Sequence, residues 1–417
     1  MDYNMDQDIM PRDWSEENSI IKVIGVGGGG CNAVNYMYKQ KIKGCNFIVC
    51  NTDSQALFKS EVPTKIQMGA KGLGAGTDPV EGRNAALESQ DEIAAKVLDN
   101  GTEMLFITAG MGGGTGTGAS PVIAKMAKDR GILTVAVVTI PFKNEGNESQ
   151  SKAVDGIHEL EKNVDSLLII NNEKLYEFFG DTLAHEAFPM ADEVLATAVR
   201  GIIEVITQPG YINVDFKDVS KMMRGSGMAL MGTGMGTGNN RLEDAVKGAF
   251  ESPLLNDFDL KTAKNVLINI TSGNNERGIK MKELETIDQM ITQYTGSANR
   301  FKKGLIWDDD PEIGDKVRIT AIVTGFDMGK LGDITDVNLG NLVIIDRDFQ
   351  WEITYKGQEV PLPDMAPSIK VGFNTAETTR RFHFTEDTKP CLCVDPGENI
   401  SELEAVPAIR RAHAEKK

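Results

Sequence analysis

The stretch Ala109-Gly110-Met111-Gly112-Gly113-Gly114-Thr115-Gly116-Thr117-Gly118 decides the fold, because it joins an apolar run to a helical pattern. The run Met104-Leu105-Phe106-Ile107 before it predicts a buried strand, and residues 119–129 repeat with helical spacing. Five glycines and two threonines fill positions 112–118, more than a tight turn requires. Glycine lets backbone N–H groups surround an anion, and a helix N-terminus adds positive partial charge. The stretch therefore predicts a phosphate-binding loop.

Composition limits the class of protein. The 417 residues are 41% apolar and 25% charged, which is typical of a globular chain of two or three domains. The net charge of −17 argues against nonspecific nucleic-acid binding, which needs a basic surface. No apolar run approaches the ~20 residues that span a membrane. Residues 1–18 are acidic and polar, which predicts a disordered N-terminus and no signal peptide. Five cysteines without a disulfide or zinc pattern indicate a reducing cytoplasm.

A second glycine run follows the first predicted strand, Ile20-Ile21-Lys22-Val23-Ile24. Gly25, Gly27 and Gly30 match the G-x-G-x-x-G pattern of dinucleotide folds. Asp53 ends the next predicted strand, where such folds place an acid that binds ribose. These residues leave an NAD-dependent oxidoreductase open as an alternative.

Strands and helices alternate from residue 20 to residue 172, and glycine-rich or polar loops follow the strands. The run Ile132 to Thr139 is almost wholly apolar, as expected for a central parallel strand covered on both faces. The fold class is therefore α/β, with a Rossmann-like parallel sheet whose ligand lies at the carboxyl ends of the strands.

An amphipathic helix over residues 186–207 is the longest in the sequence, and its wide apolar stripe predicts burial between two domains. The loop after it places Asn213, Asp215 and Asp218 within six residues. Two interpretations stay open here. The acids belong to a functional site, or Asp215 is the N-cap of a short helix with Asp218 in its first turn.

The rest of the chain predicts a smaller α/β domain and a tail. Four strands and two helices are expected between residues 227 and 330, with Gly232 to Gly238 as a flexible connection rather than a second phosphate loop. Residues 331–399 are proline-rich and predict a linker with local β structure, while the apolar and basic residues 400–417 predict a docking peptide. The expected divisions are 1–18, 19–185, 186–226, 227–330, 331–399 and 400–417.

These motifs resemble the tubulin/FtsZ family, and its bacterial FtsZ branch in particular. The resemblance rests on Gly112 to Gly118, on Gly25 to Asn35, on residues 51–57 and 72–76, and on Asn213-Val214-Asp215-Phe216. It covers about residues 20–327, and Val406 to Arg411 is similar to the family's tail peptide.

The resemblance implies a GTPase that polymerises head to tail into the cytokinetic ring, in the cytoplasm at mid-cell. It implies GTP or GDP with Mg²⁺ as ligand, with no metal site of the chain's own. The implied partners are further copies of the chain and membrane-tethering or regulatory division proteins at residues 400–417, with no nucleic acid and no direct membrane insertion. The implied catalytic residues are Asn213, Asp215 and Asp218, contributed to the GTP of the neighbouring subunit. The implied nucleotide contacts are Gly28, Gly29, Gly30, Cys31, Asn32, Gly112, Gly113, Gly114, Thr115, Gly116, Thr117, Glu145, Ser149, Asn172, Phe188 and Asp192.

Several positions depart from the family pattern, and two of them concern the nucleotide contacts. Cys31 stands where a glycine is usual, which places a thiol that oxidation could modify near the phosphates, and Ser149 stands where an arginine often contacts the nucleotide. The second departure keeps open a scaffold that binds GTP without hydrolysing it.

Overall fold

The sheet of the N-terminal half forms where the sequence is continuously apolar. In this computed structural model, β4 (Met104–Gly110) and β5 (Leu133–Ile140) have almost every residue buried, as parallel strands covered on both faces require.

The structure describes residues 19–173, 184–208, 210–212, 214–251, 260–296, 300–308, 313–326, 352–355 and 358–361, without the side chains of residues 184–191, 326 and the last two ranges.

The strands of this half are β1 (Ile21–Val26), β2 (Asn46–Asn51), β3 (Thr64–Gln67), β4, β5 and β6 (Ser166–Asn171). The helices are α1 (Gly27–Lys39), α2 (Ser54–Lys59), α3 (Pro79–Glu88), α4 (Gln90–Ile93), α5 (Thr115–Asp129) and α6 (Asn147–Glu161). A π-helical turn, Ala94–Leu98, continues α4, and Ser89 separates α3 from α4.

All these strands are parallel, in the order β3-β2-β1-β4-β5-β6. The order reverses between β1 and β4, because the chain moves outward to one side from β1 and to the other side from β4. Open α/β sheets bind ligands at such a switch point, beyond the carboxyl ends of the strands. Both glycine runs of the sequence begin there.

Helix α7 (Ala184–Thr207) has 24 residues and is therefore about 36 Å long. Its buried face shares a hydrophobic cluster with Val23 and Phe106 of the first half and with Ile322 of the second. Gly201 lies so close to the second half that a Cβ there would be 2.9 Å from Met231 Cε. The helix therefore packs against both halves of the sheet.

The second half adds β7 (Gly227–Gly236), β10 (Val317–Phe326), β8 (Asn265–Gly273) and β9 (Arg300–Asp308), which complete a ten-stranded sheet in that spatial order. β10 is antiparallel to both of its neighbours. The helices of this half are α8 (Phe216–Met223), α9 (Arg241–Phe250) and α10 (Met281–Thr295). Helix α8 opens with Asp215 as its N-cap.

The prediction of a flexible connection at Gly232 to Gly238 is wrong, because residues 232–236 belong to strand β7. Their glycines serve packing rather than flexibility. A Cβ on Gly234 would lie 2.1 Å from the carbonyl oxygen of Ala245 in α9, so only glycine lets the helix approach the strand this closely.

Residues 338–417 form a separate unit. Within it the structure describes one antiparallel hairpin, β11 (Glu352–Tyr355) and β12 (Gln358–Pro361). The predicted docking peptide, residues 400–417, lies outside the described residues. Among the helices of the described ranges, none combines the length and apolar character needed to cross a bilayer.

Candidate nucleotide site

The two glycine runs lie against each other at the switch point. A Cβ on Gly29 would be 3.4 Å from Gly110 Cα, and a Cβ on Gly30 would be 2.2 Å from the carbonyl oxygen of Thr108. Gly27 and Gly116 are equally close, with 2.8 Å between a Cβ on Gly27 and the Gly116 nitrogen. These glycines let the start of α1 and the loop after β4 form one surface, which we call the cradle.

Gly28 and Gly113 belong to the cradle but have no packing reason to be glycine. A Cβ on either would meet no protein atom within 4 Å, and neither residue has a positive φ. Glycine at such open positions is expected where a ligand approaches the backbone closely.

The two helices that begin at the cradle leave their N-termini uncapped. Neither α1 nor α5 has a side-chain cap or an acid in its first turn. By contrast, Asp53 caps α2 and Asp78 caps α3. The amides of α1 and α5 thus point their donors and positive partial charge toward the cradle, an arrangement that favours an anion.

The threonines of the loop shape it internally. Thr117 is buried, and its hydroxyl accepts a hydrogen bond of 2.9 Å from the backbone N–H of Gly112, which has a φ of +97°. Thr115 shares a 2.7 Å hydrogen bond with Thr52, a contact that sequence reasoning missed. The loop at residues 69–79 also supports the cradle, since a Cβ on Gly114 would lie 2.8 Å from the Asp78 nitrogen.

Cys31 faces away from the cradle. Its side chain is 4% exposed, and its Sγ donates weakly to the carbonyl oxygens of Gly25 and Cys50 at 3.5 and 3.6 Å. Burial raises the pKa of the thiol to about 12, so the thiolate that oxidation requires is disfavoured. The expectation of an oxidisable thiol beside the phosphates is therefore wrong. Cys31 offers the cradle only its backbone, whereas Asn32 is exposed.

The carboxyl ends of β5 and β6 bring further predicted residues to the same edge of the sheet. The backbone N–H of Asn172 donates to the carbonyl oxygen of Ile140 at 3.2 Å, while its buried Oδ1 has no hydrogen-bond partner. Such an atom needs an external donor, because leaving it unpaired costs free energy. Glu145 is exposed and accepts a 2.9 Å hydrogen bond from Phe142 N–H. Ser149 lies in the first turn of α6, with its carbonyl oxygen 2.9 Å from the position of a Cβ on Gly112.

Helix α7 carries the last two predicted contacts. Phe188 lies in the helix, but its side chain is outside the described residues. Asp192 is one turn further along, and burial raises the pKa of its carboxyl from 3.8 to about 6. A carboxylate that has lost this much hydration is a strong acceptor for N–H donors.

Asp53, the candidate ribose-binding acid of a dinucleotide fold, has a structural role as a helix cap. Its Oδ1 accepts hydrogen bonds from the backbone N–H groups of Gln55 and Ala56 at 2.8 and 3.4 Å, so the carboxylate caps α2. This role explains Asp53 without a ribose and so weakens the NAD-dependent alternative.

The acidic loop lies at the opposite end of the strands from the cradle. Asp215 is the N-cap of α8, and its Oδ1 accepts a 2.7 Å hydrogen bond from the N–H of Asp218. The capping interpretation is therefore confirmed. The carboxylate of Asp218 forms an ion pair of 2.9 Å with Lys302, and Asn213 lies outside the described residues.

Two hydrogen bonds fix α8 at the amino ends of the strands. Arg224 at the end of α8 donates to the carbonyl oxygen of Gly131, which precedes β5, at 3.3 Å. The N–H of Gly225 donates to Asp165, which precedes β6, at 3.1 Å. The eight residues of β5 span about 26 Å, whereas the eight residues of α8 span only about 12 Å, so the acids at the start of α8 cannot reach the cradle of their own chain.

Among the described residues, no three His, Cys, Asp or Glu side chains form a group that could hold a metal ion.

Comparisons with known proteins agree with this geometry. The model of the tubulin/FtsZ family GTPase domain matches residues 20–180, and that of the FtsZ family C-terminal domain matches residues 227–327. Cell division protein FtsZ of Wigglesworthia glossinidia brevipalpis is 46% identical over 336 residues, which are 79% of this chain and 86% of the relative. Its counterpart from Pseudomonas putida is 41% identical over 403 residues, which are 95% of this chain and 91% of the relative.

A solved structure described as an empty FtsZ dimer from M. jannaschii has a TM-score of 0.67 and 38% identity, covering 73% of this chain and 88% of its own. The two family models match the halves that hold the cradle and the second set of strands. With relatives of this identity aligned over most of their own length, the chain belongs to the FtsZ family.

Proposed function

We propose that this protein binds and hydrolyses GTP and polymerises head to tail into the filaments of the bacterial division ring. One observation carries the proposal. The cradle lies at the carboxyl ends of the strands, and the acidic loop lies at the amino ends of strands in the same sheet. Each chain then contains two incomplete halves of a hydrolytic site, and a neighbour is needed to join them.

The cradle would hold the phosphates through backbone amides. Gly28 to Asn32 and Gly112 to Thr117 supply these donors at two helix N-termini, and the open positions at Gly28 and Gly113 leave room for the anion. Glu145 would hold the ribose, with Ser149 close by. Asn172, Phe188 and Asp192 would bind guanine, whose N–H groups would satisfy Asn172 Oδ1 and the Asp192 carboxylate. Mg²⁺ would enter with the phosphates and neutralise part of their charge.

The acidic residues would act on the nucleotide of the adjacent subunit. Asn213, Asp215 and Asp218 would lie against the γ-phosphate and position the attacking water, because phosphoryl transfer depends mainly on positioning and charge stabilisation. A contact between unlike ends of identical chains does not close, so it extends into a filament. Loss of the γ-phosphate would weaken that contact after hydrolysis.

We infer the cellular setting from the same family. The protein would act in the cytoplasm at mid-cell, where residues 400–417 would bind membrane-tethering or regulatory division proteins. The divisions predicted from the sequence assign the cradle to residues 19–185, the acidic loop to 186–226 and the second set of strands to 227–330.

The GTPase rate per chain is expected to depend on protein concentration. Below a critical concentration the halves stay apart and hydrolysis is slow. Above it the specific rate rises together with light scattering, because each new contact completes a site. Phosphate release and scattering, measured on the same dilution series with GTP, check this. A specific rate that stays constant while scattering rises would instead favour a scaffold in which adjacent subunits do not form a joint hydrolytic site.

GTP binding is expected to weaken as the pH falls through about 6, because the pKa of Asp192 is raised to about 6 by burial and guanine needs the ionised form. The stability of the empty protein is expected to change with pH in the opposite direction. A carboxyl whose folded-state pKa is raised destabilises the empty fold above that pKa, and this cost disappears as the pH falls. Protonation of Asp192 therefore weakens binding without unfolding the chain.

Titration of a fluorescent GTP analogue from about pH 5 to pH 8 checks this prediction, with thermal unfolding followed in parallel. Asp192→Asn is the matched variant, since it keeps the shape and removes the titration. Its binding should be weaker and flat across this range. A pH step of the same size in the Asn variant would assign the titration to another group.

A further inference from the structure

A large open groove lies at the amino ends of β1, β2 and β3, on the edge of the sheet opposite the cradle. Its volume is about 1810 Å³. Its walls are the end of α1 with the loop that follows, the first residues of β2 and β3, the π-helical turn after α4, and the C-terminal half of α7. None of the predicted nucleotide contacts or catalytic residues lines it.

The groove is basic although the chain as a whole carries a net charge of −17. Besides the buried Lys22, its lining includes six cations and only two acids, Glu61 and Glu204. The six cations are Lys39, Lys41, Lys43, Lys65, Lys96 and Arg200. A positive surface on an acidic chain favours an acidic occupant.

Several of these cations have no acidic partner in the described part of the chain. Lys39 pairs with Glu61 at 3.1 Å and Lys96 with Glu92 at 2.7 Å. Lys41 and Lys43 are exposed and form no ion pair among the described residues. The Nε of Arg200 is buried without a hydrogen-bond partner. Lys41 and Lys43 are thus free to bind carboxylates, whereas Arg200 already interacts electrostatically with Glu204 in the same groove.

The first described residue of the chain, Ser19, lies at the rim of this groove. Ser19, which lines it, donates from its backbone N–H to Asn46 Oδ1 at 2.9 Å and from its hydroxyl to the carbonyl oxygen of Gly44 at 2.8 Å. The 18 residues before it include one cation, Arg12, and six acids: Asp2, Asp6, Asp8, Asp13, Glu16 and Glu17. The segment that precedes Ser19 therefore has the charge that the groove lacks.

We propose that residues 1–18 dock in this groove, with carboxylates against Lys41 and Lys43. Glu17 and Glu16 are two and three residues from Ser19, so the chain keeps them within about 10 Å of it. Ser19 is hydrogen-bonded to Gly44, the residue next to Lys43. Trp14 would pack near Tyr38 and Phe47, which form an edge-to-face pair with ring centroids 6.2 Å apart. Because the segment is tethered at Ser19, it outcompetes free acidic ligands through its high effective concentration. Docking covers a basic surface that would otherwise attract polyanions.

Trp14 serves as the reporter in the intact chain. Its contribution to acrylamide quenching is obtained as the difference between the wild type and Trp14→Phe. We expect Trp14 to be protected in dilute protein without GTP. The double variant Lys41→Gln/Lys43→Gln should lose this protection and reach the quenching of the denatured chain. The control Lys125→Gln/Lys282→Gln changes the net charge equally at exposed lysines elsewhere and should keep the protection.

Charge exchange separates docking from a general effect of charge. Glu16→Lys/Glu17→Lys should lose the protection, and combining it with Lys41→Glu/Lys43→Glu should restore it. Carbodiimide cross-links from Glu16 or Glu17 to Lys41 or Lys43 should form within one chain. The proposal is overturned if Trp14 is unprotected in the wild type, or if the Lys41 and Lys43 variants keep the same protection. It is also overturned if the cross-links join two chains. It is overturned equally if added oligoglutamate binds the wild type as tightly as it binds the Glu16→Lys/Glu17→Lys chain.

Discussion

Asp215→Asn is expected to reduce GTP hydrolysis about 100-fold or more while leaving GTP binding intact, because in the proposed mechanism the acid acts on a neighbour's nucleotide and not on its own. The choice of asparagine matters. Asp215 also caps α8 through the N–H of Asp218, and loss of an N-cap costs about 0.5–2 kcal/mol of stability. Asparagine retains the cap and removes only the charge, so a fall in rate cannot be attributed to a frayed helix.

Mixing two inactive chains tests whether the site is shared. The first chain carries Asp215→Asn and keeps its cradle. The second carries Gly28→Ala and Gly113→Ala, which impair the cradle and leave the acidic loop unchanged. Neither should hydrolyse GTP alone, whereas an equal mixture should recover up to about a quarter of the wild-type rate, since one in four random contacts joins the intact halves.

Asp244→Asn is the control for the mixing experiment. It removes an exposed acid from the first turn of α9, far along the chain from either half-site, and should leave the rate unchanged. A mixture as inactive as its components would contradict the shared site. So would an Asp215→Asn chain that hydrolyses GTP at the wild-type rate.

The parts of the fold that the sequence predicted well are those where one physical requirement dominates. Strands β4 and β5 are buried on both faces, so a continuous apolar run was enough to identify them. The glycine run at Gly112 to Gly118 follows such a strand and opens a helix, and that order places it at the carboxyl edge of a parallel sheet. The position of the cradle was therefore predictable.

The parts that the sequence left unresolved involve residues that satisfy two requirements at once. The glycines of residues 232–236 suggested a loop, yet they form a strand because α9 must approach β7 closely at Gly234. The sequence allowed Asp215 to be either a helix cap or a catalytic acid. Its hydrogen bond from the Asp218 N–H confirms the cap without excluding catalysis. Cys31 was placed near phosphates by its position in the chain, but the turn of α1 directs its side chain into the core. Local sequence does not encode which neighbour a residue will face.

Glycines of the cradle are expected to divide into two classes when each is changed to alanine. Gly30→Ala should destabilise the fold by about 1–3 kcal/mol or more, since the new Cβ would lie 2.2 Å from the carbonyl oxygen of Thr108. Gly113→Ala should leave the melting temperature unchanged, because a Cβ there meets no protein atom within 4 Å.

The same Gly113→Ala chain should bind GTP about 10- to 100-fold more weakly, which corresponds to one lost hydrogen bond to a charged group. Thermal unfolding without nucleotide and GTP titration of the same samples separate the two effects. Stability and affinity that fall together at Gly113 would mean that this glycine is needed for the loop itself. An unchanged affinity would mean that its open side faces solvent, and the phosphates would then have to lie elsewhere along the cradle. A loss of affinity at full stability is the result expected only if the space beside Gly113 belongs to the nucleotide.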